Sequence, residues 1–125
     1  MKGSVFFWLS LLGAAILGAQ HACAGAAVAI GPHNEMVASY GYPKEIAKQR
    51  ALEIVRSKYG PNVRILAATD VYGYGAIAVA RRSNGNLLIG VALGHPSALD
   101  AKHWAIDHCV KAGGIDPKVK WEFKG

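Results

Sequence analysis

The chain has 125 residues, 52% of them apolar and 18% charged, with two cysteines and a formal net charge of +6. Its length allows one domain with a modest core. Its positive residues are scattered, Arg81-Arg82 being the only adjacent pair, which excludes a polybasic tail or a nucleic-acid motif and leaves weak attraction to anionic surfaces.

Lys2 opens the chain, and Val5 to Leu17 is an almost unbroken apolar run followed by the small residues Ala22-Cys23-Ala24. A positive start, an apolar middle and an Ala-x-Ala site make a secretory signal peptide, cleaved after Ala24 and spanning residues 1–24. The run falls short of the roughly 20 apolar residues of a spanning helix, and no later segment is longer, so no membrane span is expected in residues 25–125. Two alternatives remain at this point. One is an uncleaved anchor; the other is a lipoprotein acylated at Cys23, although Gln20 stands where such signals usually carry Leu. Cleavage leaves Cys109 as the only cysteine in an oxidising compartment, either a buried small hydrophobe or a thiol able to pair between chains.

Ala26 to Ile30 reads as a strand and Met36 to Tyr40 as its hairpin partner, with Pro32 in the turn where a missing N–H does no harm. Pro43 suits the first turn of a helix. From Lys44 to Tyr59, Ala47, Ala51, Ile54, Val55 and Tyr59 recur at three- and four-residue steps while Gln49, Glu53 and Arg56 face away. Gly60-Pro61 stops that helix, and Val63 to Thr69 reads as a buried strand.

The same order then recurs. Ala76 to Ala80 is a strand, Asn84-Gly85 a tight turn, and Leu87 to Leu93 the return strand. Pro96-Ser97 starts a helix to about Lys111 with Ala98, Ala101, Ala105, Cys109 and Ala112 on one stripe, and Gly113-Gly114 stops it. Val119, Trp121 and Phe123 finally alternate with Lys118, Lys120, Glu122 and Lys124, a strand with one apolar and one charged face.

Two strand–strand–helix–strand units, about 26–70 and 75–124, thus account for nearly all of residues 25–125. The expected class is α+β: a duplicated ββαβ unit, a mostly antiparallel sheet of about six strands, and two helices packed on one face. A unit of this kind has an apolar face that needs its neighbour. The joint Tyr72-Gly73-Tyr74-Gly75 is too short to separate independent domains, so one domain is expected.

The Ala-Ile-Ala-Val strand, the hairpin, Gly-aromatic-Pro at Gly41-Tyr42-Pro43 and the alanine-bearing helix ending in Cys109 together resemble the family called domain of unknown function 4189. The resemblance spans roughly Ala26 to Phe123 and implies a small exported bacterial protein built on a duplicated unit. Members often bridge a cysteine at each helix end to one at the start of the next strand. Here Val55 stands in the first helix place, and neither Asn62 nor Lys118 partners Cys109, which implies apolar packing in place of disulfides. The resemblance carries over no catalytic residue.

The densest polar cluster is His95, Asp100, His103, Asp107, His108 and Cys109. Asp100, His103 and Asp107 share a helix face at a spacing able to hold a divalent cation, or equally to form a solvated face with Asp100 at the positive helix end. There is no His-Glu-x-x-His pattern, and no metal is assigned. Cys109 beside His108 is not a catalytic pair, because adjacent helix positions point about 100° apart. His95 corresponds to Tyr42 at a strand–helix corner. Gly73-Tyr74-Gly75 lacks the Lys-Ser/Thr of a phosphate loop, and no cofactor is implied. Tyr72, Tyr74, Arg81, Arg82 and Trp104 are the candidate interaction surface.

The reading is therefore a secreted or periplasmic, non-enzymatic binding module for a protein or an anionic envelope component. One alternative is a small hydrolase or metal-dependent enzyme using the His95–His108 region. The other is a structural envelope protein linked through Cys109 into a dimer.

Overall fold

The structure is a computed structural model that describes residues 25–124 fully and, for strands Ser4–Leu9 and Ala14–Ala19, the backbone alone. The cleavage site Ala22-Cys23-Ala24 lies outside the described residues. In chain order the elements are β1 (Ser4–Leu9), β2 (Ala14–Ala19), β3 (Ala26–Ile30), β4 (Met36–Tyr40), α1 (Lys44–Tyr59), β5 (Arg64–Thr69), β6 (Tyr74–Arg81), β7 (Leu87–His95), α2 (Ala98–Lys111) and β8 (Ile115–Lys124). The class is α+β. Two compact units meet in sequence at Tyr72/Gly73.

In the first unit β3 is the centre of an antiparallel trio, flanked by β4 and β5, and β2 adds in parallel to the outer edge of β4. Every residue of β3 is buried, which is why Ala-Ala-Val-Ala-Ile is apolar without alternation. The hairpin to β4 closes through Gly31 N–H donating to the Glu35 carbonyl at 2.8 Å, while the Glu35 carboxylate accepts the His33 N–H at 2.8 Å. α1 turns Ala47, Ala51 and Val55 inward, where Val55 and Ala51 join Ala29 and Val37 in one core. Pro43 gives α1 no side-chain cap. Asp70, at the end of β5, supplies one by accepting the Lys44 N–H at 3.0 Å.

The second unit repeats this plan. β6 is central, with β7 and β8 antiparallel on its two sides. The hairpin turns at Asn84-Gly85, where Gly85 takes φ 88° and the Asn84 side chain accepts the Asn86 N–H. Ser97 caps α2 by accepting the Asp100 N–H at 3.1 Å. At the other end Gly114 N–H donates to the Cys109 carbonyl and Gly113 N–H to that of Val110, the paired bonds of a left-handed glycine stop. Ala101, Ala105 and Cys109 face inward onto Ala76, Ala78, Ala80 and Ala92.

The two halves agree beyond element order. In each, the first strand lies in the middle. Its pairing with the last strand slips once in the first unit and twice in the second, where the further slip lies between Val79 and Arg81. The shared slip falls between Val28 and Ala29 in the first unit and between Ile77 and Ala78 in the second. These are corresponding positions in Ala27-Val28-Ala29-Ile30 and Ala76-Ile77-Ala78-Val79.

Alanine stripes reflect close helix–sheet approach. A Cβ at Gly90 of β7 would stand 2.4 Å from the Ala105 carbonyl oxygen of α2, so no larger residue fits between them. Three details differ from the sequence reading. The six strands of residues 26–124 fall into two sheets, three in each, because each half's last strand returns to its own first strand, and β1 and β2 extend the first sheet to five. β5 lies at a sheet edge and is half-buried. Ala112 follows the last turn of α2 and is exposed. No described helix is long and apolar enough to cross a membrane.

Candidate functional site

α2 carries two kinds of surface. Its inward stripe is small and buried. Its outer side is lined by His95, Asp100, His103, Trp104, Ile106, Asp107 and Val110 around an open groove of about 630 Å³. Trp104 dominates it at 46% exposed. One turn on, His108 stacks on the indole with ring centroids 4.9 Å apart and planes 21° apart. His95, delivered by the end of β7, meets the same indole at 5.7 Å with a 48° tilt. The resulting His–Trp–His cluster joins two elements and presents an aromatic body with polar tips.

The carboxylates of the groove are arranged as a solvated face. Asp107 pairs with Lys111 at 2.9 Å, and both are exposed, so the pair contributes little to stability. Asp100 sits in the first turn, where its charge suits the helix N-terminus. Asp100, His103 and Asp107 share a side of α2 without converging. Among the described residues no group of three or more His, Cys, Asp or Glu side chains is placed to hold a metal ion.

Cys109 is 1% exposed, and its thiol donates to the Ala78 carbonyl oxygen at 3.6 Å. Burial pushes its pKa up, partly opposed by a hydrogen bond with the Gly90 backbone. A protonated, enclosed thiol is neither a nucleophile nor a ready disulfide partner. Bridging two chains through it would require α2 to lift from its sheet.

The residues named as a candidate interaction surface are not all brought together. Tyr72 is 55% exposed and closes the first unit. Tyr74 begins β6, packs against the second unit's core and lies under the Lys124 ammonium at 5.0 Å. Arg81 ends the same strand, seven residues or roughly 23 Å away, and donates to the Gly85 carbonyl. Arg82 donates to the Ala112 carbonyl at 3.4 Å, at the negative end of α2. Trp104 alone of the five sits in the groove. His95 and His108 complete its cluster, and the four-residue step from Trp104 to His108 was the available signal.

No family model, curated protein or solved structure matches the chain.

Proposed function

We propose that this protein is an exported binding module, without catalytic activity of its own, whose partner is a protein or cell-envelope component. The observation that carries this reading is the exposed Trp104 between His95 and His108 on the outer side of α2. Large aromatics at an open groove supply contact area at low conformational cost, and imidazoles beside them add hydrogen-bonding tips. At the corresponding place in α1 stands Arg50, stacked over Tyr42 at 4.4 Å, so the fold itself does not require a tryptophan there.

Export rests on the leader pattern of Lys2, the Val5–Leu17 run and Ala22-Cys23-Ala24. The resemblance to the domain of unknown function 4189 family points to the same compartment. N-terminal sequencing of the protein recovered outside the cytoplasm tests this: a chain beginning at Gly25 supports it, and one beginning at Met1 overturns it.

The binding reading is tested by co-sedimentation of the purified protein with an envelope fraction. Retention of wild type and loss of retention in Trp104→Ala support it. Equal behaviour of the two removes the groove from the account.

A further inference from the structure

The outer side of α2 carries an apolar stripe that runs along the groove beside the Trp104 cluster. Leu99, His103, Ile106 and Val110 recur at four-, three- and four-residue steps, on one side of the helix. Leu99 is 59% and Val110 51% exposed. α1 offers an internal comparison. Counted from the helix starts, its residues at these places are Glu45, Gln49, Leu52 and Arg56, and three of the four are polar. At these four places the same ββαβ plan is thus mostly polar in one half and mostly apolar in the other. Core packing does not demand Leu99 or Val110.

We propose that this stripe is the contact between two copies of the chain, with the two α2 helices antiparallel across a two-fold axis. A two-fold contact uses one patch twice, so the patch must be complementary to itself. The stripe has this property. Its centre lies between His103 and Ile106, so reversing the helix sets Leu99 of one copy against Val110 of the other and His103 against Ile106. Along one flank Asp100 lies near the start of α2 and Lys111 at its end. In an antiparallel pair equivalent flanks face each other, which brings Asp100 of each copy toward Lys111 of the other and makes two cross-pairs. Asp107, now paired with Lys111 at 2.9 Å, lies on that same flank and would share the lysine. An anionic surface fits worse, since Asp100 and Asp107 border the stripe. At about 100° per residue Trp104 points away from the stripe's centre, so the dimer would leave Trp104 at the rim of the contact while covering His103, Ile106 and Val110, the part of the groove that lies on the stripe.

Analytical ultracentrifugation of the purified protein over a wide concentration range tests the assignment. The wild type is expected to show a reversible monomer–dimer equilibrium. Leu99→Glu and Val110→Arg, which install the α1 residues, should each raise the dissociation constant at least about tenfold. Their thermal melts at a monomeric dilution should match wild type, separating a lost contact from a lost fold. Asp100→Lys and Lys111→Asp should each weaken the dimer, and the double exchange should recover it. A monomeric wild type overturns the proposal, including one that gains mass only with a foreign protein. So does a dimer indifferent to both stripe substitutions.

Discussion

The Cys109 thiol donates to the Ala78 carbonyl oxygen at 3.6 Å, tying the last turn of α2 to the central strand of its sheet. The corresponding helix position in the first unit is Val55, which packs with Ala29, the counterpart of Ala78. One fold position is therefore filled by a thiol in one half and a branched alkyl group in the other. Cys109→Val should accordingly be tolerated by the fold, at a cost of roughly 1–3 kcal/mol, because it adds about one methyl group to a close-packed site and loses one weak hydrogen bond. Urea denaturation measures this. A much larger loss would mean that the thiol has a role beyond filling space.

The same burial predicts a slow thiol. Native protein should resist an aromatic disulfide reagent until denaturant is added, and should run as a monomer on a non-reducing gel. Rapid modification of the native protein at neutral pH would contradict the placement of Cys109.

Alkaline pH should destabilise the protein. Burial raises the Cys109 thiol above its ordinary 9.0 and the Tyr40 phenol above its ordinary 10.0. The folded state therefore holds these protons more tightly than the unfolded chain. Their contribution is complete below the ordinary thiol value and is lost as pH rises from there through the raised values. The urea midpoint should fall between pH 8 and about 11. Cys109→Val should remove the earlier part of the fall and leave that of Tyr40. An unchanged profile in the variant would assign the fall elsewhere.

Gly90 is where β7 passes closest to α2. Gly90→Ala places a methyl 2.4 Å from the Ala105 carbonyl oxygen and 3.1 Å from the Cys109 sulfur. Strand and helix must separate, at a cost of roughly 1–3 kcal/mol. Gly85→Ala meets no atom within 4 Å but must adopt φ 88°, so its cost comes from backbone strain alone. Thermal melts compare the two, and a neutral Gly90→Ala would show that the helix–sheet spacing is slack.

Asp70 and Ser97 do the same work on different helices. Asp70→Ala removes the bond to the Lys44 N–H, and Ser97→Ala the bond to the Asp100 N–H. Each should cost about 1 kcal/mol. The Lys44–Asp70 ion pair, at 3.9 Å and well exposed, adds little to the first figure. Asp70→Asn, which keeps an acceptor oxygen, should recover most of the loss in melts.

Much of this fold was legible because its signals are local. The four-residue steps Ala47-Ala51-Val55 and Ala101-Ala105-Cys109, closed by Gly60 and Gly113, bound both helices, and Asn84-Gly85 marked its hairpin. What was not legible depends on pairing across distance. Arg64–Thr69 has an apolar composition whether central or at an edge, so its half-burial had no local sign. Nor does any short pattern state that β5 returns to β3 and β8 to β6, which divides the strands into two sheets. The Asp70 cap spans 26 residues, and His95 reaches Trp104 only because β7 ends beside α2. The acidic face of α2 was visible from its spacing, but spacing alone does not bring Asp100, His103 and Asp107 onto one ion.

The most direct measurement is envelope retention of three proteins side by side: wild type, Trp104→Ala, and Gln49→Ala on the outer side of α1. The account predicts that wild type and Gln49→Ala are retained alike while Trp104→Ala is released, with all three melting at similar temperatures. Retention of a well-folded Trp104→Ala protein at the wild-type level would contradict it.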